Sequence, residues 1–301
     1  MTTRKNISAL YDNIYHRKRK NKLFLIFVIS MSLLTVIPIV FIISKIVING
    51  IGQINFNFFV QTSPDSLQAM TAIANNDTIP GGIANGITGT FLIVLVSSVM
   101  AIPTGIMIGI YMYENQKQRY SDFLRNVTEI LQGVPSIVLG IISYLWIVKH
   151  VTNGFSAFAG SVALAIMMLP MIIRSTEETM KMIPNEIREA AFALGAPYHK
   201  VILMVLIPSG FSGLSTGILL SLSRILGETA PLMMTALGST AINYNVSKPT
   251  SAVPLLIWEF YNDPNMVRLV WSSSLFLMIF VLVLNLISSR LSSKNKIRRK
   301  K

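Results

Sequence analysis

Six apolar runs, at about residues 23–48, 86–113, 127–148, 156–173, 209–237 and 269–289, alternate with polar connections along the 301-residue chain. The fourth is the shortest, yet each has the roughly 17–20 residues with which an α-helix crosses the hydrocarbon core of a bilayer. The pattern predicts an all-α membrane protein of six transmembrane helices. Its expected organisation is a basic tail at 1–22, a six-helix domain at 23–289 and a second basic tail at 290–301. The first run is long and lacks a small-residue cleavage site, so it reads as a retained span and not as a cleaved signal.

An even number of spans lets both tails share one side, and the charges agree on which. Lys45, Lys149, Lys248 and Arg268 fall on the outer side of this topology and Arg224 falls inside a span, while every other Lys and Arg lies on the side of the tails. Basic residues concentrate on the cytoplasmic face of membrane proteins, so both termini are expected there. The same distribution accounts for the net charge of +13 as tails next to anionic headgroups, a stronger reading than nucleic-acid binding.

Composition closes other routes. With 52% hydrophobic and 13% charged residues, the chain is not a soluble globular domain. It has no cysteine, and its histidines, His16, His150 and His199, are scattered, so no metal site and no nucleophile–base pair is expected. No phosphate-binding GxxxxGK[ST] loop occurs, so the chain is expected to hydrolyse no ATP by that route and to carry no cofactor.

Two polar features stand out against the apolar background. The first is the inner connection at 174–208. Pro184 and Asn185 precede Glu186 at a helix start, and Ile187, Ala190, Ala191 and Leu194 recur at helical spacing as an apolar stripe. Gly195 then suits the left-handed turn that ends a helix, and Pro197 can open a second one. Read plainly, this is an amphipathic connector on the membrane surface. Small side chains at Ala190 and Ala191 beside Glu189 also admit close approach by another protein.

The second feature is Arg224, close to the middle of the fifth run, with Glu228 four residues on and Thr229 after it. An Arg at that depth costs roughly 2.5–3.5 kcal/mol on insertion scales, so it must face protein or a wet cavity. Two readings stay open: an ion pair with Glu228 that locks a helix to its neighbours, or a guanidinium that meets a passing oxyanion. Four-residue repeats of glycine at Gly105 and Gly109 and at Gly213 and Gly217 read as helix-packing positions.

These motifs resemble a family. Glu189-Ala190-Ala191, then Gly195, then Val205-Leu206-Ile207-Pro208 is similar to the EAA loop of ABC importer permeases. The run from Arg224 through Gly227-Glu228-Thr229-Ala230-Pro231-Leu232, together with Gly81-Gly82-Ile83, Gly89-Thr90 and Pro135 to Gly140, resembles the phosphate-specific transport permeases of that class.

The resemblance implies a type I importer architecture in which Glu189, Ala190, Ala191 and Gly195 couple to an ATPase. Arg224, Glu228 and Thr229 would line the phosphate path. It further implies a related permease as partner, two ATPase subunits holding ATP and magnesium, and an external phosphate-binding protein. A sister permease, a permease for another oxyanion, a proton-coupled secondary transporter and a membrane scaffold are the alternatives.

Overall fold

Pro135 decides the path of the middle of the chain. The residue before a proline is pushed out of the helical region, and Val134 is extended accordingly (φ −71°, ψ 128°). In the computed structural model, which describes residues 2–298 except Asn76 and the side chains of 17–290 except Asn76, the expected third span is therefore two helices. These are α5 (Arg119–Gly133) and α6 (Ser136–Ser143, continued by π-helical turns at Tyr144–Val148), bent by 105° at the break. Among the described residues five helices are long and apolar enough to cross a membrane, or six if the bent pair is counted as one span. The tail residues Arg299, Lys300 and Lys301 and the side chains of Arg4, Lys5, Lys294, Lys296 and Arg298 lie outside the described residues.

The chain divides into two units at Asn49/Gly50. The first is one helix, α1 (Thr2–Gly50), which runs without interruption through the expected tail boundary at residue 22 and through Pro38. In the second, short helices α2 (Phe56–Val60) and α3 (Ser66–Ala74) precede α4 (Ala84–Glu114). After α5 and α6 come α7 (Ala157–Lys181), α8 (Asn185–Ala193) and α9 (Tyr198–Lys200), which winds on through π-helical turns (Val201–Leu206) into α10 (Ile207–Ile225). Short α11 (Ala230–Thr235), α12 (Val253–Tyr261) and long α13 (Val267–Arg298) complete it.

The centre of the second unit is α7, flanked by α4 on one face and α10 on another. Lipid tails are as apolar as leucine, so helices in a bilayer associate through close packing of small residues. The glycine repeats do this here. Gly105 and Gly109 of α4 lie against Ile172, Ile173 and Thr176, and Gly213 and Gly217 of α10 lie against Thr179 and Ser175. A charged clasp adds to it: Arg125 of α5 donates to Glu177 of α7 at 2.8 Å, and Lys181 donates to the same oxygen at 2.6 Å. At the Ala84 end of α4, Phe58, Ile79, Ile83, Leu256 and Phe260 bury one another, so the connections around α2, α3 and α12 hold an apolar cluster.

Two expected boundaries move. The fourth span was placed at 156–173, but α7 carries on to Lys181, because its backbone hydrogen bonds run past the first charged residue. The fifth span was placed at 209–237, but its helix starts at Tyr198 and stops at Ile225. The inner connection thus shrinks from 174–208 to the stretch between Lys181 and Tyr198, and Pro208 lies within a helix, where it closes no loop.

Candidate functional site

Antiparallel packing of α10 on α7 sets the depth of Arg224. Gly217 stands against Ser175, so Arg224, two turns further on, comes level with the middle of α7, and its Nη1 lies 3.7 Å from Met171 Sδ. Arg224 does not lie inside a continuous helix, as the fifth apolar run had suggested. Arg224 is in the last turn of α10; Leu226, Gly227 and Glu228 unwind, and Thr229 precedes α11. Gly227 faces open space, whereas Pro231 at the start of α11 is packed under Gly140 of α6. A break at this depth is tolerated where cavity water or neighbouring protein satisfies the freed backbone groups.

Arg224 Nε and Glu228 Oε1 are 3.9 Å apart, an ion pair too long for a hydrogen bond. Glu228 is the more enclosed partner, with 20% of its side chain exposed against 48% for Arg224. Thr229 is half-buried and makes no side-chain cap to α11. Arg224 opens onto a cavity of about 490 Å³ between α5, α7 and α10, whose wall includes Gln132, Met171, Arg174, Glu178 and Leu220. Sequence reasoning placed Arg174 in a loop. Its pairing with Glu178, four residues on at 3.2 Å, repeats the spacing of Arg224 and Glu228 and was the available signal.

The second candidate site is the turn between α7 and α9. Helix α8 begins at Asn185 with Pro184 as its cap and no side-chain cap bond, so the capping expected of Asn185 is absent. At its other end the Gly195 and Ala196 N–H groups donate to the Phe192 and Ala191 carbonyls at 2.9 and 3.2 Å. This Schellman arrangement needs Gly195 in the left-handed region, where it is found (φ +76°).

The expected apolar stripe does not pack as one. Ala191 alone is buried, against Ile183, Val201 and Leu206, while Ile187 and Ala190 are exposed and Leu194 is 89% exposed. Glu189 is exposed as well. Of the predicted coupling residues, one holds the helix to the domain, and Glu189, Ala190 and Gly195 face outward beside Leu194.

The family model for the binding-protein-dependent transport system inner membrane component matches residues 105–294. A phosphate transport system permease protein PstA from Xylella fastidiosa is 38% identical over 252 residues, covering 82% of this chain and 84% of that protein. The PstA protein of Yersinia pestis is 33% identical over 283 residues, covering 93% and 92%. Among solved structures, the MetNI methionine ABC transporter in inward-facing conformation matches with a TM-score of 0.57 at 19% identity, covering 69% of this chain and 94% of that one. An amino acid ABC transporter with histidines matches at 0.50 and 15% identity, covering 78% and 99%. These two share the fold. Buried small-residue seams, a broken span at Arg224 and an outward-facing turn at Gly195 thus sit in a chain that belongs to the binding-protein-dependent transport system inner membrane components, as a member of the PstA permease family.

Proposed function

We propose that this chain is the transmembrane permease subunit of an ATP-driven inorganic phosphate importer and forms half of the path through the membrane. The observation that carries the reading is Arg224. It is a half-exposed guanidinium at mid-depth, beside a helix break, held only loosely by a carboxylate 3.9 Å away. A planar fork of donors facing a wet cavity suits bidentate contact with an oxyanion. Broken helices near the midplane are also how membrane carriers build ion sites. The identity of the anion is supported by the PstA relatives, which are named for phosphate transport.

Glu228 competes with the anion for Arg224 and keeps it from being held too tightly, while Thr229 offers a hydroxyl at the break. A related permease supplies the other half of the path, and an external phosphate-binding protein delivers the substrate. ATP and magnesium are held by two partner ATPase subunits, onto which Glu189, Ala190, Ala191 and Gly195 dock. This chain binds no cofactor of its own. The crowding of basic residues on the side of the α8 turn supports cytoplasmic termini, and the bacterial relatives support a bacterial-type cell membrane.

The test is uptake of labelled phosphate by cells lacking the chain and complemented with wild type or Arg224→Gln. Excess sulfate is added in one arm, and ATP and the proton gradient are depleted separately in two others. Uptake that needs ATP, ignores sulfate and is lost in membrane-inserted Arg224→Gln is expected. Uptake that survives without ATP but collapses with the proton gradient overturns the reading in favour of a secondary transporter.

A further inference from the structure

Two arginines, not one, line the cavity beside the broken helix. Arg174 of α7 and Arg224 of α10 both open onto it, and each has a glutamate four residues later, Glu178 at 3.2 Å and Glu228 at 3.9 Å. Met171 links them: its sulfur touches Arg224, and it lies one turn from Arg174 on the same face of α7.

The Arg174–Glu178 pair is poorly explained as a brace for the helix. An acidic residue preceding a basic one braces a helix better than the reverse order, which is the order found here. Both side chains stay more than half exposed, at 57% and 62%. Only Nε of Arg174 is engaged, so among the described residues its two terminal nitrogens have no protein partner. Glu178 stands in the cavity wall and Glu228 beside Arg224, so each guanidinium is only partly engaged by its carboxylate and still offers donors to the space.

We propose that Arg174, flanked by Gln132 and Ser175, is a second oxyanion station, about one helical turn nearer the α8 turn than the Met171 sulfur that Arg224 touches, to which phosphate passes after leaving Arg224. The proposal rests on Arg224 lining the path. Each station carries its own competitor: Glu178 retakes Arg174 as the anion leaves, as Glu228 retakes Arg224. Handing the anion between two weak, shielded cations avoids one deep well from which release is slow.

The sequence has no cysteine, so Leu220→Cys, on the cavity wall one turn before Arg224, gives this subunit a single thiol. In the assembled transporter in membrane vesicles, its labelling is followed on this subunit's band with an anionic and a cationic methanethiosulfonate of similar size. The anionic reagent is expected to react faster, and inorganic phosphate to slow it. Adding Arg174→Gln is expected to lower the anionic-to-cationic rate ratio about fivefold and to weaken protection by phosphate, whereas Arg174→Lys retains the ratio.

A ratio and a protection that ignore Arg174→Gln but fall with Arg224→Gln overturn the second station and leave the first. If neither substitution changes them, the role of Arg224 falls as well. A thiol inert to both reagents means that no aqueous ion enters the cavity, which also overturns the proposal.

Discussion

Arg188 of α8 donates from Nη2 to Glu114 Oε2 at 2.7 Å, joining the middle of the connecting turn to the last residue of α4. Glu114 keeps 6% of its side-chain exposure and Arg188 31%, so the carboxylate is the buried partner. The Arg188 guanidinium also lies 5.7 Å from the centre of the Phe192 ring, which steadies it over α8. Because α4 and α7 pack through their glycine seam, this pair fixes where α8 stands relative to both.

Arg188→Ala leaves a buried carboxylate without its cation. The cost is expected to be about 2 kcal/mol, below the roughly 3–5 of a fully buried pair because Arg188 is partly solvated. Adding Glu114→Gln is expected to recover most of it. Thermal unfolding of the two single variants and the double variant in detergent measures the coupling; strictly additive losses would show that the pair is not an energetic unit.

Two glycines are predicted to fail for different reasons. Gly195→Ala meets no neighbouring atom and pays only for a left-handed backbone, about 1 kcal/mol, with Gly195→Asn milder. In Gly217→Ala the new methyl would fall within the Ser175 side chain, an overpacking expected to cost about 1–3 kcal/mol. Ser175→Gly should rescue the second substitution and leave the first unchanged, as read by melting temperatures.

Leu194→Ser tests the outward face of the turn. The side chain is 89% exposed, so stability should move by less than about 0.5 kcal/mol. Co-purification with the ATPase subunits is expected to drop sharply under the proposed coupling. Full retention of the complex would remove Leu194 from the docking face.

Glu259 of α12, half-buried beside Gly238, has its carboxyl pushed above its ordinary value by loss of solvation. A raised folded-state value means that the folded protein holds the proton longer than the unfolded chain does. Its contribution to stability is complete below the ordinary glutamate range and is lost as the pH climbs through the raised value. Melting temperature should therefore fall less between pH 4.5 and 8 in Glu259→Gln than in wild type. Parallel pH profiles would contradict this.

At Arg224, substitution by lysine keeps the charge but loses the planar fork. Arg224→Lys is expected to retain less than about a tenth of phosphate uptake at normal membrane levels of protein. Near wild-type uptake would reduce the role of Arg224 to setting the local field.

What could be read from the chain follows the physics of each feature. Length and apolarity reveal spans, because the bilayer's thickness sets both, and the glycine repeats announced their seams. The break after Ile225 was invisible to a hydropathy window, since Leu226 to Leu232 stays apolar enough overall while Gly227 and Pro231 act locally. Arg174 was missed because a hydropathy boundary falls at the first charge, whereas hydrogen bonding carries α7 on to Lys181. For α8, periodicity gave a stripe, yet which members of it are covered depends on α4 and α10, and only Ala191 found a partner. The Arg188–Glu114 pair spans 74 positions, and no local pattern points to it.

The helix that begins at Tyr198 runs unbroken to Ile225, so the Gly195 turn stands at one end and Arg224 at the other. Its 28 residues at about 1.5 Å each make a rod of roughly 42 Å. Its π-helical turns and Pro208 all lie near the Gly195 end, so the compliant part is beside the turn and the stiff part reaches the cation. Linking the two ends takes no relay of side chains: when the rod tilts on its glycine bearing, Arg224 travels with it.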